Sequence, residues 1–229
     1  MFEKTARCIV CGKKHALEVL YTCNHCGGIL DIDYDYDNLK RVLSKIQFGS
    51  SSEDGIWKYR CLLPVGETVF PVSLGEGGTG LLRCRRLAED IGLHSALYVK
   101  DETTEPTGSY KDRAISVAIT KAQEFGLKMV VTASSGNAGA AVSAYAARAG
   151  LRNLVFIPEA TPPEKLVQML IHGADVITVE GTYSSAHQLA LCAAQRLSCL
   201  NVSTTFLSPY PVEGNKTIAY EIAEQLDWN

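Results

Sequence analysis

Nine residues, Glu105-Pro-Thr-Gly-Ser-Tyr-Lys-Asp-Arg113, join a loop signal (Pro106, Gly108) to a helix start that carries a lysine in its first turn, Lys111. Ser109 and Asp112 form an S-x-x-D pattern that can cap the helix. Ile115, Ala118, Ile119 and Ala122 extend it as an i, i+3, i+4, i+7 stripe, and Gly126 ends it. A lysine so placed lies near free backbone N–H groups at the positive end of the helix dipole. That field and partial burial both disfavour the ammonium form. A lysine that attacks an aldehyde, or takes a proton from a substrate carbon, needs its neutral form accessible. The same residues also suit a solvated lysine with Asp112 and Arg113 as surface charges, and the stretch alone does not separate the two.

A second loop with binding chemistry is Ser134-Ser-Gly-Asn-Ala-Gly139. It follows an apolar strand, 128–133, and opens an alanine-rich helix, 138–149. Its hydroxyls, amide and free N–H groups can cradle an anion beyond the carboxyl end of a strand. It lacks both the G-K-[ST] of a nucleotide-binding loop and the G-x-S-x-G of a hydrolase. Gly75-Glu-Gly-Gly-Thr-Gly80 spells a literal G-x-G-x-x-G, but Pro71 interrupts the segment before it and Leu81-Leu-Arg-Cys84 after it reads as extended chain. A dinucleotide fingerprint needs a buried strand before and a helix after, so this match is set aside.

Cysteine spacing gives a third site. Cys8-x2-Cys11 and Cys23-x2-Cys26 stand 11 residues apart, with Gly12, Gly27 and Gly28 after the pairs. Four thiolates fit tetrahedral zinc in a closed structural site. Redox pairs and a relic site without metal are the alternatives. Residues 16–21 suit a short strand of a ribbon, and His15 and His25 are read as bystanders.

The elements that must position these sites follow in order. Residues 31–37 alternate charge and bulk like a strand or hairpin arm, and Leu39, Val42, Leu43 and Ile46 follow at helical spacing. Gly49-Ser-Ser-Ser52 reads as a linker, 57–63 as a segment packed on the main body, and 96–100 as a buried strand. From 128 onward, strands at 128–133, 153–158, 175–179 and 200–206 alternate with helices at 138–149, 161–173 and 184–197. The last but one starts at a capping box, Thr161-Pro-Pro-Glu164. Such a series makes a parallel sheet covered by helices. The 229 residues, 46% hydrophobic and 21% charged with net charge −3, describe an ordinary globular chain without a nucleic-acid footprint. No apolar run reaches the roughly 18–20 residues of a membrane span. Paired cysteines without a signal-like N-terminus suggest a reducing cytosol, hence a cytoplasmic location and no membrane partner.

These residues resemble the fold-type II pyridoxal phosphate (PLP) enzymes, and within them the threonine synthase family. Pro106–Arg113 is similar to that family's lysine motif, Ser134–Gly139 to its substrate-carboxylate loop, and Glu213-Gly-Asn-Lys-Thr217 to its E-G-x-K-T. The resemblance implies an α/β fold: a three-layer αβα arrangement with parallel sheets behind a small four-cysteine, zinc-ribbon-like knuckle. It implies the knuckle at 1–30, an arm, helix and linker at 31–56 and the first part of a large PLP domain at 57–116. A small α/β domain at 117–206 and the start of a return to the large domain at 207–229 complete the division. Lys111 would be the Schiff-base lysine and proton carrier, and Asn137 would bind the cofactor's 3′-oxygen. Ser134, Ser135, Gly136, Asn137 and Ala138 would hold the carboxylate of a small amino-acid substrate, and Cys8, Cys11, Cys23 and Cys26 a structural zinc. The implied reaction converts O-phosphohomoserine and water to threonine and phosphate, possible in a homodimer. Pro211 stands where many members carry a phosphate-gripping arginine, which leaves room for β-replacement or serine/threonine ammonia-lyase chemistry. No glycine-rich loop for the cofactor phosphate follows E-G-x-K-T, so the C-terminal part of the large domain is expected to be absent, with poor cofactor binding by this piece. A catalytically inactive, metal-stabilised binding module is the alternative of a different class.

Overall fold

The computed structural model describes residues 4–43, 53–203 and 208–228. The proposed linker 49–52, Ile46 and the end of the 200–206 strand lie outside these residues. The N-terminal knuckle is a three-stranded antiparallel sheet, β1 (Lys4–Cys8), β2 (Lys14–His15) and β3 (Leu30–Tyr34), in the order β2-β1-β3. Along β3, Leu30, Ile32 and Tyr34 face the knuckle's core while Asp31 faces water, the alternation expected of a half-buried strand. Residues 16–21, expected to be a strand, are irregular. Helix α1 (Tyr36–Leu43) follows, and a 3₁₀ segment, Gly55–Leu62, buries Ile56, Trp57 and Tyr59 against the main body.

The main body opens with β4 (Leu81–Arg83), α2 (Arg85–Asp90) and β5 (Tyr98–Lys100). Among the described residues β4 and β5 pair only with each other, antiparallel, so Tyr98 and Val99 are 37% and 43% exposed rather than buried as their apolar sequence suggests. Then come α3 (Lys111–Glu124), β6 (Met129–Ala133), α4 (Asn137–Ala149) and β7 (Arg152–Pro158). A 3₁₀ turn, Pro163–Lys165, leads into a short α5 (Val167–Ile171). The expected capping box at Thr161 does not form: the turn begins at Pro163, and its cap position is Pro162, which has no side-chain acceptor to offer. β8 (Asp175–Val179), α6 (Tyr183–Arg196), β9 (Leu200–Asn201) and α7 (Pro209–Gln225) complete the order.

β6 to β9 form one parallel sheet in the order β8-β7-β6-β9. Helices α3 and α4 cover one face through Ile115, Ile119, Ala141, Val142 and Tyr145. α6 covers the other through Ala186, Ala190 and Ala194 against Val131 and Phe156. The chain is therefore α/β with three layers and a parallel sheet, as the alternation requires. Residues 112–122 of α3 are all buried, not one stripe of them, because α4 lies on one side and α7 on another. The junction at 116/117 falls inside this helix.

Gly214 permits the α3–α7 packing. A Cβ at that position would lie 2.2 Å from the Arg113 carbonyl oxygen and 2.8 Å from Ala114 Cα. Both obstacles are backbone, which cannot swing away. We predict that Gly214→Ala destabilises the chain by about 1–3 kcal/mol, the usual range for overpacking. A lowered urea midpoint would register this, and an unchanged midpoint would contradict it.

Candidate functional site

The loop before α3 is held by the residue after Lys111. Asp112, fully buried, accepts from Thr107 N at 2.7 Å and from Thr107 Oγ1 at 2.6 Å. Gly108 sits at φ +79°, a left-handed turn that favours glycine, and its N–H donates to Glu105 O at 2.8 Å. The S-x-x-D cap is thus replaced by a Thr107–Asp112 clamp that closes the loop one turn earlier. Helix α3 starts at Lys111 itself, after Tyr110. The lysine is half-buried, its Nζ 4.5 Å from the Tyr110 ring centroid. Among the described residues no carboxylate pairs with it.

Arg113, two residues further, was read from sequence as a possible surface charge and has no exposed surface at all. Its Nε lies 2.7 Å from Glu102 Oε2 and 2.9 Å from Glu105 Oε1. Nη1 donates to Glu221 Oε1 at 2.8 Å and to Thr217 Oγ1 at 3.2 Å; Nη2 donates to Glu102, Glu221 and Thr79. Lys100 Nζ adds a second cation, 2.7 Å from Glu221 Oε2. Burial opposes the Glu221 charge, but hydrogen bonds from Arg113 and Lys100 outweigh it and hold the carboxyl at about 2. Glu105 goes the other way. Burial pushes it up to about 7 despite the nearby guanidinium, which it shares with two other carboxylates.

The glycine-rich 75–80 segment belongs to this cluster. Gly77 N donates to Glu105 Oε2 at 3.0 Å and Gly78 N to Glu221 Oε1 at 2.9 Å. It opens into β4, not a helix, which bears out setting aside the dinucleotide fingerprint. Glu76 within it accepts from Trp57 Nε1 at 2.8 Å, Ser116 Oγ at 2.5 Å and Tyr145 OH at 2.8 Å, joining the 3₁₀ segment, α3 and α4. Sequence reasoning missed these residues. The available signal was polar side chains at 112, 113, 116 and 120, interleaved with Ala114, Ile115, Val117, Ala118 and Ile119 on a helix that turns out to be buried all round.

α4 starts at Asn137, inside the second loop's sequence, so that Asn137, Ala138 and Gly139 form its first turn. Gln123 Nε2, near the end of α3, donates to Ala149 O at the end of α4 at 3.1 Å. The two helices therefore run the same way, and their first residues, Lys111 and Asn137, lie at the same end, beyond the carboxyl end of β6. Ser134 and Ser135 are half-buried, Gly136 and Asn137 exposed and Ala138 buried. Gly136 N donates to Ser134 Oγ at 3.3 Å. Gly139 lets the helix start close on the loop, because a Cβ there would lie 2.6 Å from Ser134 O. The first N–H groups of α4 have no intrahelical acceptor and face this end. A helix start of this kind can hold an anion, at the same end of the sheet as Lys111.

The cysteines form a separate cluster in the knuckle. The ligand atoms of Cys8, Cys11, Cys23 and Cys26 lie within 4.8 Å of one another. Backbone N–H groups of Cys11 and Val10 directed at Cys8 lower its thiol to about 6. None of the described helices is long and apolar enough to cross a membrane.

Residues 72–229 match the family described as pyridoxal-phosphate dependent enzyme. The threonine synthase of Methanosarcina acetivorans is 43% identical over 226 residues, covering 97% of this chain and 53% of that protein. That of Methanocaldococcus jannaschii is 42% identical over 224 residues, with 97% and 54% coverage. The chain thus spans about half the length of these relatives. Among solved structures, a pyridoxal 5′-phosphate-dependent aspartate racemase superimposes with TM-score 0.60 at 29% identity, over 65% of this chain and 46% of that one. Threonine deaminase isoform 2 from Solanum lycopersicum gives 0.57 at 25% identity, over 64% and 40%. Escherichia coli diaminopropionate ammonia lyase, at 22% identity and TM-score 0.60 over 68% and 49%, shares the fold.

Glu105 makes stability depend on pH in a defined direction. Its folded value of about 7 exceeds the ordinary 4.5, so between these values the folded chain holds a proton that the unfolded chain has released. That contribution is present below pH 4.5 and is lost as pH rises through 7. Glu221 acts oppositely, losing its contribution as pH falls from 4.5 towards 2. Glu105→Gln mimics the protonated acid. Its stability relative to wild type should rise between pH 5 and pH 8 in denaturant titrations; a constant difference would contradict the assignment.

Proposed function

The chain belongs to the pyridoxal-phosphate-dependent enzymes, and from that premise we propose that Lys111 is the cofactor's lysine in a lyase of threonine-synthase type. The observation that carries this reading is the shared end of α3 and α4, with Lys111 and Asn137 each the first residue of its helix. The residues fit the reactive side of the cofactor. A half-buried lysine without a carboxylate partner among the described residues stands at a helix start. Open space adjoins it in the two loops: an added Cβ at Gly108 or Gly136 would meet nothing within 4 Å.

In this proposal Lys111 Nζ holds the cofactor covalently and Asn137 hydrogen-bonds its 3′-oxygen. Ser134, Ser135 and the N–H groups of 136–138 hold the substrate's α-carboxylate at the positive end of α4. When bound, the cofactor supplies an electron sink for negative charge at the substrate's carbon. Lys111 Nζ would also serve as the base that takes a proton from the substrate's Cα and returns one later. The Thr107–Asp112 clamp and the Arg113 cluster keep its amine in line, and that positioning is the protein's share of the rate. The substrate class is a small amino acid, and O-phosphohomoserine with water is the proposed pair, giving threonine and phosphate through γ-elimination and addition of water at Cβ.

A second reading within the same chemistry has one observation behind it. Pro211, where a phosphate-gripping arginine is expected, is buried in the first turn of α7. That favours a β-replacement or ammonia-lyase substrate without a phosphate. Assays with O-phosphohomoserine, O-phosphoserine and threonine separate the readings: phosphate release from the first alone supports threonine synthesis.

For the lysine itself, borohydride reduction in the presence of pyridoxal phosphate fixes the lysine–cofactor bond, and peptide mapping locates it. We predict dominant modification of Lys111 in the wild type and only scattered surface labelling in Lys111→Ala. Equal labelling of Lys111, Lys128 and Lys165 would contradict the role.

A further inference from the structure

The four-cysteine cluster is built in two equivalent halves. In the first, Cys8 N donates to Lys13 O at 2.9 Å and Gly12 N to Cys8 O at 2.9 Å; in the second, Cys23 N donates to Gly28 O and Gly27 N to Cys23 O, both at 2.8 Å. Gly12 and Gly27 take the same left-handed conformation, at φ +73° and +71°. Two tight turns of one geometry thus present two thiols each to a common point. Gly28 is required for the approach, since a Cβ there would lie 2.8 Å from Cys8 Sγ. Zn–S bonds of about 2.3 Å in a tetrahedron put sulfurs about 3.8 Å apart. Cys8 and Cys26 sulfurs are 3.5 Å apart and those of Cys11 and Cys23 3.7 Å, with all four within 4.8 Å. None of these cysteines is in a disulfide.

The irregular segment between the halves reaches the main body. Tyr210 OH, in the first turn of α7, donates to Glu18 O at 2.6 Å. Tyr21 OH accepts from Asn201 N in β9 at 2.7 Å. Leu17 and Leu20 pack on the knuckle's core, which Tyr210 also joins. Tyr34 OH donates to Glu213 Oε2 at 2.7 Å, one residue before the glycine that touches the α3 backbone. No strand or helix holds 16–21; the segment runs from the end of β2 at His15 to the Thr22–Ile29 bridge, inside the stretch that Cys11 and Cys23 bracket.

We propose that Cys8, Cys11, Cys23 and Cys26 bind one zinc ion as a closed structural centre, and that this ion holds 16–21 against the start of α7. The knuckle's sheet is small, with strands of 5, 2 and 5 residues. A module of this size rarely stays folded on its hydrophobic core alone. With four protein sulfurs the ion has no open position for substrate, so its role is to set the α7 start and, through Gly214, the helix that carries Lys111. This inference is independent of the cofactor.

The test is metal analysis of the purified 229-residue chain, with hydrogen exchange before and after zinc removal. One zinc per chain is expected, lost from a Cys8→Ser/Cys26→Ser variant. Cobalt(II) loaded in its place should give the visible bands of a tetrahedral thiolate site, a readout on the folded wild type if the double variant fails to fold. Zinc removal should abolish exchange protection at 16–21 and in the first two turns of α7, while β6 and β7 stay protected. Tyr210→Phe should keep the zinc yet weaken protection at 16–21. Absence of zinc, iron in its place, or zinc removal that leaves the α7 start as protected as before would each overturn the proposal.

Discussion

A guanidinium with no exposed surface needs an acceptor for each N–H taken out of water, and Arg113 draws its acceptors from three segments. Glu102 and Glu105 come from the approach to the lysine loop, Thr79 from the glycine-rich segment, and Thr217 and Glu221 from α7. Removing one partner of such a buried pair typically costs about 3–5 kcal/mol, because an uncompensated charge is left inside. Net stabilities of domains are about 5–15 kcal/mol. The cluster therefore leaves little freedom in where the first turn of α3 sits. Lys111 lies on that turn.

The neighbouring residues divide the work of placing the lysine. Asp112 closes the loop before it, Arg113 fixes the helix after it, and Gly214 lets α7 approach the same backbone. The second loop arrives by a different route. β6 carries the chain to the end where α3 begins, and α4 leaves from there in the same direction as α3. A parallel sheet with helices of one direction thus brings two loops, distant in sequence, to one end of the sheet. The knuckle props this arrangement from the other side through Tyr34 and Tyr210.

Much of this was legible in the sequence, and the failures have physical causes. Apolar strands bounded by glycine-ended helices revealed the parallel sheet, and paired cysteines followed by glycine revealed the four-thiol cluster. Arg113, Asp112 and the carboxylates around them were not legible, since a charged residue's default place is the surface and only distant partners make its burial possible. Tyr98 and Val99 misled in the opposite sense. Their apolar character suggests burial, but among the described residues β5 has only β4 beside it. The short strand expected at 16–21 failed because Glu18 O accepts from the Tyr210 side chain of α7 and the Tyr21 hydroxyl accepts from the backbone of β9, with no neighbouring strand among the described residues to pair the segment.

The coupling between the buried cluster and the lysine is tested most directly by changing the cluster and reading the lysine. Arg113→Lys keeps the positive charge but cannot serve three carboxylates at once. The measurement is the rate at which pyridoxal phosphate and borohydride modify Lys111, relative to Lys128 and Lys165, in a variant whose circular dichroism matches wild type. The expected result is loss of the preference for Lys111. Undiminished preference, with the cluster broken and the fold intact, would contradict the claim that Arg113 holds the lysine in place.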